Sequence, residues 1–596
     1  MTMEVIIAVD VGSSSVKCNA YSMRPQEEVD AIASHPEAQP QQHHYQQEQQ
    51  QQQQVPLTSL AQSAKVLRAV RPGTGKVIAV EQIIAAAEDC ISNVLSSLQA
   101  AYGSHDFVVI AVGFSSFTMN LIGLDEDGQP IGEDATISYA CNTREVVEEV
   151  ERLKRELTQE EQQTLYQRTG TPIHGAYAMP QLRVLYQRHP ELAQQIYQWQ
   201  PLSNLCIARW TGHSPNGMPL SYCEASWTGL LNFRNCTLEP AALALLPSEA
   251  CRKALPPTVC DVDESLASGL AGKYQAQWPQ LSEAAFFLGL GDGAVANIGS
   301  KCSVPDRIAC TIGTSAAARV CVPLPILPPQ EAPEDSLQVP NGLFCYRIDK
   351  YQVLLGGALT DGGSAVEWIR NLLNLNDSKE FDACIERVGQ SLQSAEETAY
   401  NDTVTDSQSG SSNNKNTTTL ATVPFLSGER SVGYRSGATG VLFGLTRDTT
   451  ANDLVQSCLE GVTLRLGAII ERIERVVMRP ENPNTDPAAY RPKIIVSGKG
   501  LEVNRVWRQM IANCTGLETM LDKSTFGGTC RGIAVLVLSK IQESSASCSF
   551  PVEPVGGPGT LKYPPQPRSA TYWKQLSDQQ ESLIEAVSPL YGAGKA

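Results

Sequence analysis

Apolar residues along this chain fall into short continuous runs and sets spaced three and four apart, two patterns that predict strands and helices respectively. The runs Val5 to Val9 and Val16 to Tyr21 predict a pair of strands near the start. Phe107 to Phe114, FVVIAVGF, predicts a buried strand that opens into Ser115 and Ser116. Between them, Val80 to Ala100 carries apolar residues at helical spacing. Leu124 to Gly128 reads as a hairpin-type turn, Arg144 to Leu157 as a charged helix, and Pro201 to Trp210 as a helix ending at Thr211-Gly212. Later, Lys493 to Val496 predicts another strand and Tyr572 to Val587 a last helix. Helix and strand in alternation predict an α/β sheet protein.

Two polar tracts interrupt this pattern. Gln39 to Gln54 is rich in Gln and His, and Glu396 to Thr419 includes Ser-Gly-Ser-Ser-Asn-Asn. Neither buries enough apolar surface to offset its ordering entropy, so both read as disordered insertions. At 596 residues the chain exceeds what one core supports, and two large domains with a cleft between them follow. The expected division is 1–303, 304–543 and a Pro- and Ser-rich tail, 544–596.

One short pattern occurs twice. Ile7 to Ser14 reads IAVDVGSS and Ile308 to Ser315 reads IACTIGTS. Each is an apolar run, a polar residue (Asp10 or Thr311), an apolar residue, a glycine (Gly12 or Gly313) and two hydroxyl side chains. A strand entering a tight turn fits both, and successive turn N–H groups with hydroxyls form a concavity suited to phosphate oxygens. Two such turns in two halves of one chain could grip a polyphosphate from both sides. Asp10 stands where an aspartate could hold Mg²⁺, a cation that keeps most of its waters and needs only one or two carboxylates.

The net charge of −17 argues against a nucleic-acid backbone or an anionic membrane as partner, since no basic cluster compensates it. Seventeen scattered cysteines without a CxxC pair argue against a zinc site and for a reducing, cytoplasmic compartment. No apolar segment is long enough to cross a bilayer.

Between the two turn copies lies FLGLGDGAVANIG, Phe287 to Gly299, in which Asp292 sits between glycines at the start of a small-residue helix. An acid there is placed to act as a general base toward a hydroxyl, and equally to cap the helix. Glycine-rich turns at Gly356-Gly357, at Asp361-Gly362-Gly363 and at Ser497-Gly498-Lys499-Gly500 could set backbone N–H groups near phosphate or ribose.

Outside the insertions the chain resembles the FGGY carbohydrate kinases, a sugar-kinase branch of the actin, hexokinase and Hsp70 fold. Asp10 to Lys17 and Thr311 to Ser315 resemble its two phosphate motifs, and Gly291-Asp-Gly-Ala294 its catalytic-base segment. Gly428-Glu-Arg-Ser431, Gly440 to Gly444 and Leu459 to Val462 resemble the second family signature, and Ser497 to Gly516 with Arg531 to Ala534 the adenosine region. Gly113 to Phe117, Asn297-Ile-Gly299 and Gly313-Thr-Ser315 are most similar to the gluconokinase-like members.

The resemblance implies two ribonuclease-H-like domains around an interdomain cleft, ATP and Mg²⁺ as cofactors, and Asp292 as catalytic base. It implies Asp10 at the metal, with Gly12, Ser13, Ser14, Lys17, Gly313, Thr314, Gly363, Gly498 and Gly500 around the nucleotide. Thr118, Met119, Asn142, Arg144, Tyr177, Gln181 and Gly293 are the expected sugar contacts beside Asp292. Family members are often dimers or tetramers, and a homodimer is one assembly the resemblance allows. Three departures bear on the acceptor: Asn142 stands where an acid is usual in Tyr139-Ala-Cys-Asn-Thr-Arg144, Thr118-Met119-Asn120 where gluconokinases tend to have Met-His-Ser, and Lys499 lies in a usually Gly-Gly turn. The activity implied is phosphorylation of gluconate or a related sugar acid. The alternatives are a ketopentose (ribulose or xylulose) or polyol kinase, and a non-catalytic nucleotide- and sugar-binding regulator. Deleting Gln39 to Gln54 should leave ATP turnover nearly unchanged in a coupled ADP-release assay, whereas a large loss would mean that the tract is ordered or contacts the cleft.

Overall fold

The computed structural model of the protein describes residues 2–24, 57–103, 106–264, 267–324, 337–409, 420–478, 491–523, 528–542, 554–557 and 559–591, with side chains of the fifth stretch described to 402. The insertion expected at 39–54 lies outside them. Strands β1 (Met3–Val11), β2 (Ser15–Ser22) and β3 (Thr58–Val66) form an antiparallel meander. Helix α1 (Val80–Tyr102) then leads to β4 (Phe107–Ser116), which lies parallel to β1.

Side-chain alternation along β1 assigns its two faces. Met3, Val5, Ile7, Val9 and Val11 enter the core under α1, whose buried stripe includes Ile84, Ala87, Ile91, Val94 and Leu98. Ile6 and Ala8 enter the opposite core, which puts Asp10 on that second face. After β4 the chain builds a helical layer that includes α2 (Arg144–Glu156) and α3 (Ala178–Arg188). It returns to β4 through two short parallel strands, β5 (Ala285–Phe286) and β6 (Leu290–Gly291), and enters α4 (Asp292–Gly299).

The second half repeats the plan. Strands β7 (Arg307–Ile312), β8 (Ala316–Pro323), β9 (Phe344–Arg347) and β10 (Gln352–Leu359) pair antiparallel in the order β9-β10-β8-β7. Helices α5 (Gly363–Leu372), α6 (Ser378–Ser409) and α7 (Ala451–Val477) precede β11 (Lys493–Ser497), parallel to β7 as β4 is to β1. Helix α8 (Arg505–Thr515) and β12 (Thr519–Leu521) follow. Each main sheet has seven strands, and β3-β2-β1-β4 in the first corresponds to β10-β8-β7-β11 in the second. This is the two-domain, ribonuclease-H-like α/β architecture expected.

Three segments pack in ways their place in the chain does not show. Helix α9 (Gly528–Ile541), assigned by position to the second domain, packs on the first. Its Cys530, Ile533, Ala534 and Val537 share a core with Ile6, Ala8 and Ala111. Helices α4 and α9 cross at backbone contact, since a Cβ on Gly532 would fall 1.8 Å from the Val295 carbonyl oxygen. The tail is no separate unit: β13 (Leu561–Tyr563) pairs with β12, and α10 (Ala570–Val587) buries Tyr572, Trp573, Leu576 and Ile584. The tract from Glu396 is helical through Ser409, because Glu396 is buried and accepts hydrogen bonds from Asn513 Nδ2 at 2.9 Å and Trp573 Nε1 at 2.7 Å.

A buried ionic triad ties these parts together. Lys540 on α9 lies 3.0 Å from Asp261 of the first domain and 3.2 Å from Asp349 in the β9–β10 turn of the second, and all three side chains are almost fully excluded from solvent. Removing the ammonium would leave two buried carboxylates without their cation. Lys540→Met is expected to cost about 3–5 kcal/mol in urea denaturation, and adding Asp261→Asn with Asp349→Asn should restore part of it.

Candidate active site

Three parallel strands end together. Asp10 on β1 is level with Ser115 on β4, which is level with Leu290 on β6, and the next row is Val11, Ser116 and Gly291. Asp292 follows at the first turn of α4. Carboxyl ends of parallel strands are where open α/β sheets bind ligands, because loops and helix N-termini converge there. Ser115 Oγ donates to Asp10 Oδ1 at 2.9 Å. Burial, with the neighbouring Asp292 charge adding to it, pushes the Asp10 carboxyl up to about 6 despite Lys17 and Ser115. Burial also raises Asp292, opposed by the Arg319 guanidinium and by backbone N–H groups of Gly293 and Thr118.

The second sheet repeats this row without the charge. Thr311 on β7 is level with Ser497 on β11, and their hydroxyls are 2.8 Å apart. Both glycine turns close on themselves: Gly12 N–H donates to the Ser15 carbonyl and Gly313 N–H to that of Ser315, each at 2.9 Å. Ser13 and Ser14 accept from Ala69 and Leu67 N–H, which anchors the first turn, and Lys17 stands opposite Asp10 on β2 with its side chain exposed.

The expected nucleotide turns converge. Gly363 N–H donates to the Gly313 carbonyl at 2.8 Å and Ser364 N–H to that of Thr314 at 3.0 Å, so α5 begins against the second turn. Gly498 has φ +86° and would set a Cβ 2.5 Å from the Ile312 carbonyl oxygen, so a side chain is excluded there by conformation and by space. A Cβ on Gly500 would lie 3.2 Å from the same oxygen. Gly313 and Thr314 remain exposed, while Lys499 points to solvent.

A cavity beside Asp292 is lined by Thr118, Trp227, Gly293, Arg319, Tyr346 and Arg430, among others. Its polar groups come from both domains: Asp292 and Thr118 from the first, Arg319 on β8, Tyr346 on β9 and Arg430 from the second. Tyr139 has the Arg430 guanidinium 5.8 Å from its ring centre, and burial raises its hydroxyl pKa, opposed by Ser13 of the first turn and by Arg430 and reinforced by the Asp292 charge.

The expected sugar contacts divide. Thr118, Gly293 and Asp292 line the cavity. Tyr177 stands one step behind it, its hydroxyl 2.9 Å from that of Tyr346. Asn142 is exposed and reaches across the domains to the Ser427 carbonyl at 3.4 Å. Met119, Gln181 and Arg144 are not brought to the cavity. Met119 is a core side chain on a backbone with φ +52°. The Gln181 amide is used up on the carbonyls of Ser138 and Gly175, both at 2.7 Å. Arg144 is 70% exposed at the start of α2, where its i+4 neighbour Glu148 accepts at 2.7 Å.

Sequence reasoning missed Arg319, Tyr346 and the roles of Tyr139 and Arg430. The available signal for Arg319 is a lone charge inside the apolar strand AAARVCV; Arg430 lies within the quoted Gly428 to Ser431. Among the described residues the sixteen cysteines are free thiols, no cluster of three or more His, Cys, Asp or Glu suits a metal, and no helix is long and apolar enough to cross a membrane.

Residues 57–299 match the FGGY family of carbohydrate kinases, N-terminal domain, and residues 308–539 match the C-terminal domain of the same family. A gluconokinase from Bacillus licheniformis is 24% identical over 486 residues, 80% of this chain and 83% of that protein. The crystal structure of gluconate kinase from Lactobacillus acidophilus superposes with a TM-score of 0.72 at 21% identity, covering 100% of both chains. That of a ligand-bound xylulose kinase from the same organism gives 0.71 at 21% identity, covering 99% of this chain and 100% of that one.

The Asp10 environment carries a stability consequence with a definite sign. An unfolded Asp10 ionises near its ordinary 3.8 and the folded one near 6, so its contribution to stability is fully present below about pH 4 and is lost as pH rises through 6. The loss amounts to about 3 kcal/mol. Asp10→Asn keeps an acceptor for Ser115 and should therefore be stabilising relative to the parent at pH 8 but not at pH 4, as read by urea denaturation at the two values.

Proposed function

This chain belongs to the FGGY family of carbohydrate kinases, and from that premise we propose that it transfers the γ-phosphate of ATP to a hydroxyl of a small sugar acid, gluconate first. The observation that carries this reading is the position of Asp292 between the two halves of the cleft, with Asp10 and the Ser13–Tyr139 pair on one side and Arg319 of β8 on the other. A base there can take the proton from an acceptor hydroxyl while its oxygen attacks the γ-phosphorus and the bond to ADP breaks.

Burial prepares Asp292 for this role, because a carboxylate with a raised pKa is a better proton acceptor than one in water. The turn amides and hydroxyls of Ser13 and Ser14, in the turn that Gly12 opens, would meet the transferring phosphate from the first domain, with Lys17 adding charge. Gly313 and Thr314 would meet it from the second. The glycine turns at Gly363, Gly498 and Gly500 leave backbone free to approach the nucleotide. Asp10, with Asp292 near it and no third protein carboxylate clustered beside them among the described residues, fits a hard cation that keeps its waters. Such an ion, Mg²⁺, supplies charge neutralisation between the phosphates when bound. Thr118 and Gly293 border the acceptor, and Tyr177 positions Tyr346 from behind.

A ketopentose acceptor is the second reading, favoured by the nearly equal likeness to the gluconate and xylulose kinase structures. Both readings are tested by ADP release with MgATP against gluconate, xylulose, ribulose and glycerol. Asp292→Asn is expected to lower kcat on the preferred acceptor by about a thousandfold while sugar binding by calorimetry persists. Retained turnover removes Asp292 as the base. Binding of ATP and sugar without ADP from the parent protein supports a regulator instead.

A further inference from the structure

Resting on the kinase reading above, we infer that Arg319, assisted by Arg430, recognises the carboxylate of the acceptor and so restricts this site to sugar acids. Among the described residues, three of the most deeply buried bases have partners that hold their charge or their N–H groups. Lys540 has Asp261 and Asp349, Arg465 has Glu429 and Glu581, and Arg347 donates to backbone carbonyls including that of Phe233. Arg319 and Arg430, each partly exposed, differ: among the described residues no salt bridge or side-chain hydrogen bond holds either guanidinium. The carboxylate adjacent to Arg430 in sequence, Glu429, is committed to Arg435 and Arg465.

Both guanidiniums line the Asp292 cavity, and Asp292 is the one acid among its lining residues. Two cations and one anion leave the cavity one positive charge in excess. A neutral acceptor would leave that charge uncompensated in a partly desolvated site, whereas one carboxylate balances it. Burial and the neighbouring Arg430 charge disfavour the charged form of Arg319, with Asp292 acting in the opposite sense, so a further anion there is favourable.

Placement agrees with charge. A Cβ on Gly293 would lie 3.3 Å from Arg319 Nε and 3.4 Å from Cζ, so the guanidinium rests against the residue that follows the base. A carboxylate held by its planar fork would stand at one end of an open-chain acid with a hydroxyl of the same molecule extending toward Asp292.

The test compares kcat/KM for gluconate with that for glucitol, its neutral counterpart of equal chain length, and for xylulose. The parent protein, Arg319→Gln, Arg319→Lys and Arg430→Gln are measured side by side, with thermal denaturation as the folding control. The parent should prefer gluconate, and Arg319→Gln should lower the acid-to-neutral ratio on the order of a hundredfold, chiefly through KM for the acid. Arg319→Lys keeps the charge and loses the fork, so it should fall between; if Arg319→Gln does not fold, this variant carries the comparison. An unchanged ratio, with all acceptors slowed alike, would assign Arg319 to the phosphoryl group and overturn the inference, as would a parent that prefers a neutral acceptor. ADP release with none of the acceptors would instead overturn the kinase reading on which the inference rests.

Discussion

The crossing of α4 and α9 at backbone contact is the constraint on which the rest of the structure depends. Asp292 begins α4, so its position is fixed by whatever fixes that helix. Gly532 admits the Val295 carbonyl where any side chain would block it, and Gly299 lies against the backbone of Gly528 in the same way. At its far end α9 carries Lys540 into the cage of Asp261 and Asp349. One helix therefore joins the helix of Asp292, the first sheet and a turn of the second sheet, and rigid placement of this kind is what a reaction catalysed by positioning requires.

The two sheets are near repeats whose differences carry the chemistry. At equivalent places one has Asp10 bonded to Ser115 and the other Thr311 bonded to Ser497. The hydroxyl pair closes on itself and leaves no charge. The carboxylate keeps one oxygen beyond its serine, and burial makes its charge costly. Geometry is duplicated while electrostatics is not, which leaves a buried carboxylate on one side of the cleft only.

Much of this was legible in the chain because it is local. The apolar runs of β1 and β4, the doubled glycine turn and the acid between glycines at Asp292 are each decided within a few residues. What failed was decided at a distance. Arg144 and Arg319 are the same residue type, and only the fold shows that one meets Glu148 in solvent while the other faces Asp292. Gln181 reads as a polar ligand until two carbonyls claim its amide. The polar stretch after Glu396 lacks an apolar period, yet it is helical where Asn513 and Trp573 satisfy that buried carboxylate. The last helix, by contrast, was legible: the apolar spacing from Tyr572 to Val587 marks it, and only its packing on the second domain needed the fold.

The return of α9 to the first sheet also orders the chain's assembly in time. On a ribosome the residues of the first sheet emerge early, but one face of β1, with Ile6 and Ala8, is covered by side chains such as Ile533 and Ala534 that are made more than five hundred residues later. The first domain cannot close its core as an independent unit while the second is being synthesised. Its early strands must wait with an apolar face open, the condition under which nascent chains depend on chaperones.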